Sequence, residues 1–132
     1  MRFSRRAAAA VPLAAVLALS GCVSDLETYA DLQRDREPAD ELPGLPENPY
    51  ESVDESSSRY IGEHDGRSLW IAEGVDDAMM CLVVVTDAAD WIVGCGDGAP
   101  RVSGATGTFG VVADGVPAPG GATMISENVY AQ

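Results

Sequence analysis

Apolar and polar positions divide the chain into three stretches of different character. Residues 7–19, from Ala7 to Leu19, are apolar without interruption, behind the basic opening Met1-Arg-Phe-Ser-Arg-Arg. From Ser24 to Ser58 apolar side chains are sparse and acidic residues and prolines are frequent. From Arg59 onward, short apolar runs alternate with glycine and aspartate, the signature of strands joined by tight turns. The runs are 59–63, 68–73, 79–85, 91–95, 108–113, 123–125 and 128–131, about seven strands in about seventy residues. His64-Asp65-Gly66-Arg67 separates the first two, and Asp-Gly there predicts a hairpin turn. The expected body at 59–132 is mainly β, a small antiparallel sandwich or a partly closed barrel. No internal repeat runs through it.

The stretch Cys81-Leu-Val-Val-Val, Thr86 to Asp90, Trp91-Ile-Val-Gly-Cys95 fixes its own register. Pairing Val85 with Trp91 across a five-residue loop sets Val83 opposite Val93 and Cys81 opposite Cys95. Directly opposed residues at a non-hydrogen-bonded antiparallel pair lie about 4.5 Å apart at Cα, within disulfide reach. Cys81 and Cys95 are therefore an expected disulfide. Such a bond adds about 3 kcal/mol in the chain-entropy picture, useful to a domain too small to rely on core burial alone. The same register sends Cys81, Val83, Val85, Trp91, Val93 and Cys95 to one face and Leu82, Val84 and Ile92 to the other. Both faces are apolar, so the hairpin is expected at the centre of the fold, covered on both sides.

The middle stretch carries a helix signal at 24–37, with Ser24 as N-cap and Glu27 completing a capping box. Pro38, Pro43, Pro46, Pro49 and Ser56-Ser57-Ser58 follow among acidic residues. Residues 22–58 thus read as an acidic, Pro/Ser-rich tether, disordered or extended from Glu37 to Ser58. At about 3.1 Å per residue, that part would reach on the order of 65 Å.

The first stretch is about thirteen apolar residues long, too short for a membrane-crossing helix and matched to a secretory leader. Its exit, Leu19-Ser20-Gly21-Cys22, resembles the lipobox of bacterial lipoproteins. The resemblance implies a signal peptide at 1–21, recognised through Leu19, Ser20 and Gly21. It further implies cleavage before Cys22, a diacylglycerol on the Cys22 thiol, and an amine open to acylation. Two acyl chains hold stably where one holds marginally. The expected location is the extracytoplasmic face of the cell membrane, lipid-anchored, where a disulfide persists. "YIGEHDG", "CLVVV" and "VVADGVPAPGGATMISENVYAQ" also resemble small β-rich actinobacterial lipoproteins, a likeness that implies no activity. An excess of alanine, glycine and aspartate with no lysine fits the GC-rich coding of such a source.

Charge narrows the partners. The chain carries a net charge of −13, and removal of 1–21 takes three arginines with it and leaves −16. Such a body repels phosphate, so no nucleic acid is expected, and anionic headgroups repel it too. The remaining chemistry is thin. His64 is the sole histidine, and with Glu63 and Asp65 it offers an alternative reading as a small cell-envelope hydrolase, although no nucleophile elbow accompanies it. Asp76, Asp77, Asp97 and Asp114 lack the alternating spacing of a calcium loop. Met79 and Met80 alternate across a strand and cannot converge on copper. Gly96 to Gly110 lacks the lysine of a phosphate cradle and reads as a flexible inter-strand loop. No catalytic residue, metal or cofactor is assigned. The expected role is a non-enzymatic binding module for an envelope protein or cell-wall partner.

Overall fold

The computed structural model describes residues 27–105 and 107–132. Its strands are β1 (Arg59–His64), β2 (Arg67–Glu73), β3 (Met79–Asp87), β4 (Asp90–Asp97), β5 (Arg101–Gly104), β6 (Gly107–Val111), β7 (Thr123–Met124) and β8 (Val129–Ala131). They form two four-stranded sheets, a meander in the order β1-β2-β3-β4 and a second sheet in the order β5-β6-β8-β7, with every pair antiparallel. The two sheets share no strand, so the body is a sandwich and not a closed barrel.

Alternation of side chains along each strand builds the sandwich core. Leu69, Ile71, Leu82 and Val84 from the first sheet meet Val102, Phe109, Val111 and Val129 from the second. The opposite face of the first sheet carries Trp70, Ala72, Cys81 and Val83. The expected register is present: Val85 pairs with Trp91, Val83 with Val93 and Cys81 with Cys95. The connection is tighter than expected. β3 and β4 extend to Asp87 and Asp90, which pair across Ala88-Ala89, and an irregularity between Val85 and Asp87 absorbs the difference. At the first hairpin Asp65 (φ 49°) and Gly66 (φ 76°) both take the left-handed conformation that a two-residue turn of this kind requires.

Three expectations need correction. Residues 96–110 are not a loop: β4 runs to Asp97, β5 occupies 101–104 and β6 starts at Gly107. β5 escapes a search for alternation because Val102 is its one buried side chain. Second, of the helix expected at 24–37 the described residues form only α1 (Ala30–Gln33), whose N-cap is Tyr29 with no side-chain cap. Ser24 lies outside the described residues. Third, residues 37–58 are not a free tether. They fold across the outer face of the first sheet through 3-10 turns at Pro38–Asp40 and Glu55–Ser57, and a bridge joins Val53 to Gly74. Tyr50 and Val53 are buried there, with Leu42 and Leu45 packed beside them against Trp70, Ala72, Cys81 and Val83. The two-sided apolar character of the β3–β4 pair thus has its second cover, and the segment read as a tether supplies it. β3 is central in the sheet, whereas β4 is an edge.

Where β4 turns into β5 the sheets close on one another. A Cβ on Gly94 would collide with Cγ1 of Val102, and one on Gly104 would collide with Cδ1 of Ile92. Each glycine is the recess into which a side chain of the opposite strand fits.

Candidate functional site

Glu63, His64 and Asp65 come together only as neighbours at one hairpin. Strand alternation sends Glu63 away from His64, and Glu63 is exposed. His64 Nε2 lies 3.3 Å from Oδ2 of Asp65, whose side chain is 78 % exposed. The imidazole stands edge-on to Phe109, with ring centroids 6.2 Å apart, and the guanidinium of Arg67, its cross-strand partner, lies 5.8 Å from the same ring. His64 and Arg67 thus cap one end of the sandwich core. Among the described residues the imidazole makes no hydrogen bond or ion pair beyond the contact with Asp65.

Cys81 and Cys95 form a disulfide between directly opposed residues, with Cα atoms 4.1 Å apart. Cys81 is fully buried, and the Ser52 carbonyl oxygen lies 3.7 Å from its Sγ and 3.9 Å from that of Cys95. The 42–53 cover therefore sits over the bond.

Two polar networks anchor that cover and α1, and neither was anticipated from the sequence. Asp40 is 1 % exposed. Its carboxylate accepts two bonds from Arg34, at 2.8 Å from Nη1 and a shorter one from Nη2. It also accepts the backbone N–H of Glu37 at 2.6 Å and of Tyr60 at 2.7 Å. The Arg34 guanidinium, with help from those two amides and against the effect of burial, holds the Asp40 carboxyl well below the usual carboxylate range. Ser58 Oγ donates to the Asp40 carbonyl at 2.6 Å, and Trp70 Nε1 donates to that of Ala39 at 3.1 Å. A signal was available: Pro38-Ala-Asp40 after Glu37 is a capping box.

Asn128 is the second hub and is fully buried. Its Nδ2 donates to the Val112 carbonyl at 3.0 Å and to Asp114 Oδ1 at 2.9 Å, while Oδ1 accepts the Asp31 N–H at 2.9 Å. Asp114 also accepts the Ala30 N–H and the Thr28 hydroxyl, each at 2.8 Å. The Asn128 amide and the Ala30 N–H lower the Asp114 pKa. Its oxygens thus join Thr28, the first residue of α1 and the Asn128 amide.

A groove of about 780 Å³ lies between Glu27–Gln33 and the β2–β3 connection. Tyr29, Leu32, Met79 and Met80 give it an apolar floor, and Glu27, Glu73, Asp76 and Asp77 line its rim. The Tyr29 hydroxyl lies 2.5 Å from the Gly98 carbonyl oxygen and 3.1 Å from Glu27 Oε2, and burial together with Glu27 pushes its pKa up to about 12. Met80 is buried in the core, whereas Met79 is half-buried on the other face of β3. Among the described residues no group of three or more histidine, cysteine, aspartate or glutamate side chains is placed to hold a metal ion.

Leu19, Ser20, Gly21 and Cys22 lie outside the described residues. Among the described residues no helix is long and apolar enough to cross a membrane. Comparison with protein families, with curated proteins and with solved structures finds no match to this chain.

Proposed function

We propose that the chain is a lipid-anchored protein of the extracytoplasmic face of the cell membrane, of the bacterial, actinobacterial-type lipoprotein kind. Its β-sandwich serves as a non-enzymatic binding module for another envelope component. The observation that carries this reading is Leu19-Ser20-Gly21-Cys22 at the exit of a basic, then apolar, leader. That arrangement supplies a thiol for lipid attachment with small residues before it. The disulfide adds support, because such a bond persists in the oxidising space outside the membrane. With a net charge of −16 after cleavage, the body gains nothing from anionic headgroups, and the acyl chains do the holding.

Replacing Cys22 with alanine tests the anchor. The variant is expected either in the medium or as an uncut precursor that takes up no labelled palmitate. A Cys22→Ala protein that stays at the membrane exactly as the parent does, with the parent itself free of palmitate, overturns the reading.

A further inference from the structure

Among the described residues β4, the longest edge strand, has no strand on its outer side, and its chemistry selects a partner. The 4.1 Å Cα separation of Cys81 and Cys95 marks a non-hydrogen-bonded pair. By alternation, Val83/Val93 and Val85/Trp91 are of the same kind. The backbone N–H and C=O groups of Trp91, Val93 and Cys95 therefore point away from β3, toward the open side of β4. Among the described residues no other backbone or side chain bonds to them, and the second sheet pairs with β4 nowhere.

Exposed edges are normally blunted by proline, by a charge in mid-strand or by shortness. β4 is eight residues long, reads Asp-Trp-Ile-Val-Gly-Cys-Gly-Asp, and has none of these between its ends. What it has is a carboxylate at each end. Asp90 pairs across the turn with Asp87, and Asp97 pairs with Met79, which follows Asp76 and Asp77. None of these five carboxylates forms an ion pair among the described residues. A second copy of the chain is a poor occupant. Antiparallel pairing of two β4 strands through their outward groups, centred on Val93, sets Asp90 opposite Gly96 and so next to Asp97 of the other copy at both ends, within molecules that already repel one another.

We propose that β4 receives an extended polypeptide segment of a partner protein by strand addition, one with an apolar middle and a basic residue at each end. The outward backbone groups supply affinity that is independent of sequence. Asp90 and Asp97, about one strand length apart, select the cationic flanks and set the register. This assignment rests on the binding-module reading and gives it a surface and a partner class.

The test uses the full chain in detergent micelles and a fluorescein-labelled peptide as long as β4, with alternating valine and serine between two terminal arginines. Saturable anisotropy is expected with the parent protein. Val93→Pro removes an outward N–H without touching the β3 ladder and should weaken binding at least about tenfold. An Asp90→Lys/Asp97→Lys variant, which leaves backbone and core alone, should lose the arginine-ended peptide and gain a glutamate-ended one. Unchanged peptide preference in that double variant overturns the proposal even if the proline variant fails to fold. So does a concentration-dependent dimer in ultracentrifugation that the two lysines abolish or strengthen, since a second copy would then own the edge. Peptide binding by a Cys22→Ala protein released from the membrane keeps the two claims separate. Loss of either one leaves the other standing.

Discussion

At the scale of single residues, Asp40 has the largest electrostatic stake in the fold. An ionised carboxylate is costly to bury unless its oxygens are met by donors, and four donors meet this one. Because they favour the charged form, the folded-state pKa lies below the unfolded one, and the unfolded chain binds the extra proton in acid. The stabilisation is therefore complete above the ordinary carboxylate pKa and drains away as pH falls below it toward the depressed value. Asp40→Asn should cost about 3 kcal/mol near neutrality and flatten the dependence of melting temperature on pH between about pH 2 and pH 5. Thermal melts of parent and variant across that range check both parts. An equally steep acid limb in the variant would place the effect elsewhere.

Among the elements, the β4–β5 corner depends on small residues more than on large ones. Val102 fills the recess at Gly94 and Ile92 the one at Gly104, so a methyl group at either glycine overfills the gap between sheets. Gly94→Ala should destabilise the sandwich by about 2 kcal/mol, and Val102→Ala in the same chain should recover part of that loss. Denaturant titration of the two single variants and the double variant measures the coupling, and strict additivity would mean that the corner relaxes without strain. This corner also shows what a sequence can and cannot disclose. The register of β3 on β4 was legible because two cysteines and a run of β-branched residues leave one consistent pairing, and that pairing is present. The Asp65-Gly66 turn was legible because both positions need positive φ. β5 was not, since Ser103 and Gly104 face outward or serve as a recess and leave no period of two to detect. Nor were the Asp40 and Asn128 hubs, whose partners lie as many as 20 and 97 residues away.

For the molecule as a whole, the decisive element is the acidic stretch that composition assigns to the solvent. Leu42, Leu45, Tyr50 and Val53 follow neither a helical nor a strand period, yet all four pack on the first sheet. Composition measures how much apolar surface a segment has to bury, and aperiodic anchors spaced along a folded segment can still suffice when a preformed apolar face awaits them. Tyr50, whose hydroxyl donates to the Pro43 carbonyl at 2.6 Å, closes the segment on itself. Tyr50→Ala should cost about 3 kcal/mol and expose residues 41–54 to protease, whereas in the parent these bonds should resist cleavage as long as the sheets do. Rapid nicking of the parent within 41–54 would restore the free-tether reading. The packing of this stretch also redraws the scale on which the protein can act. The described residues begin at Glu27, five residues beyond Cys22, and five residues of chain span at most about 17 Å. With the graft proposed at Cys22, the sandwich rides against the bilayer like a moored buoy on a short line. The molecules it meets are then those that share its own stretch of membrane or pass within a few nanometres of it.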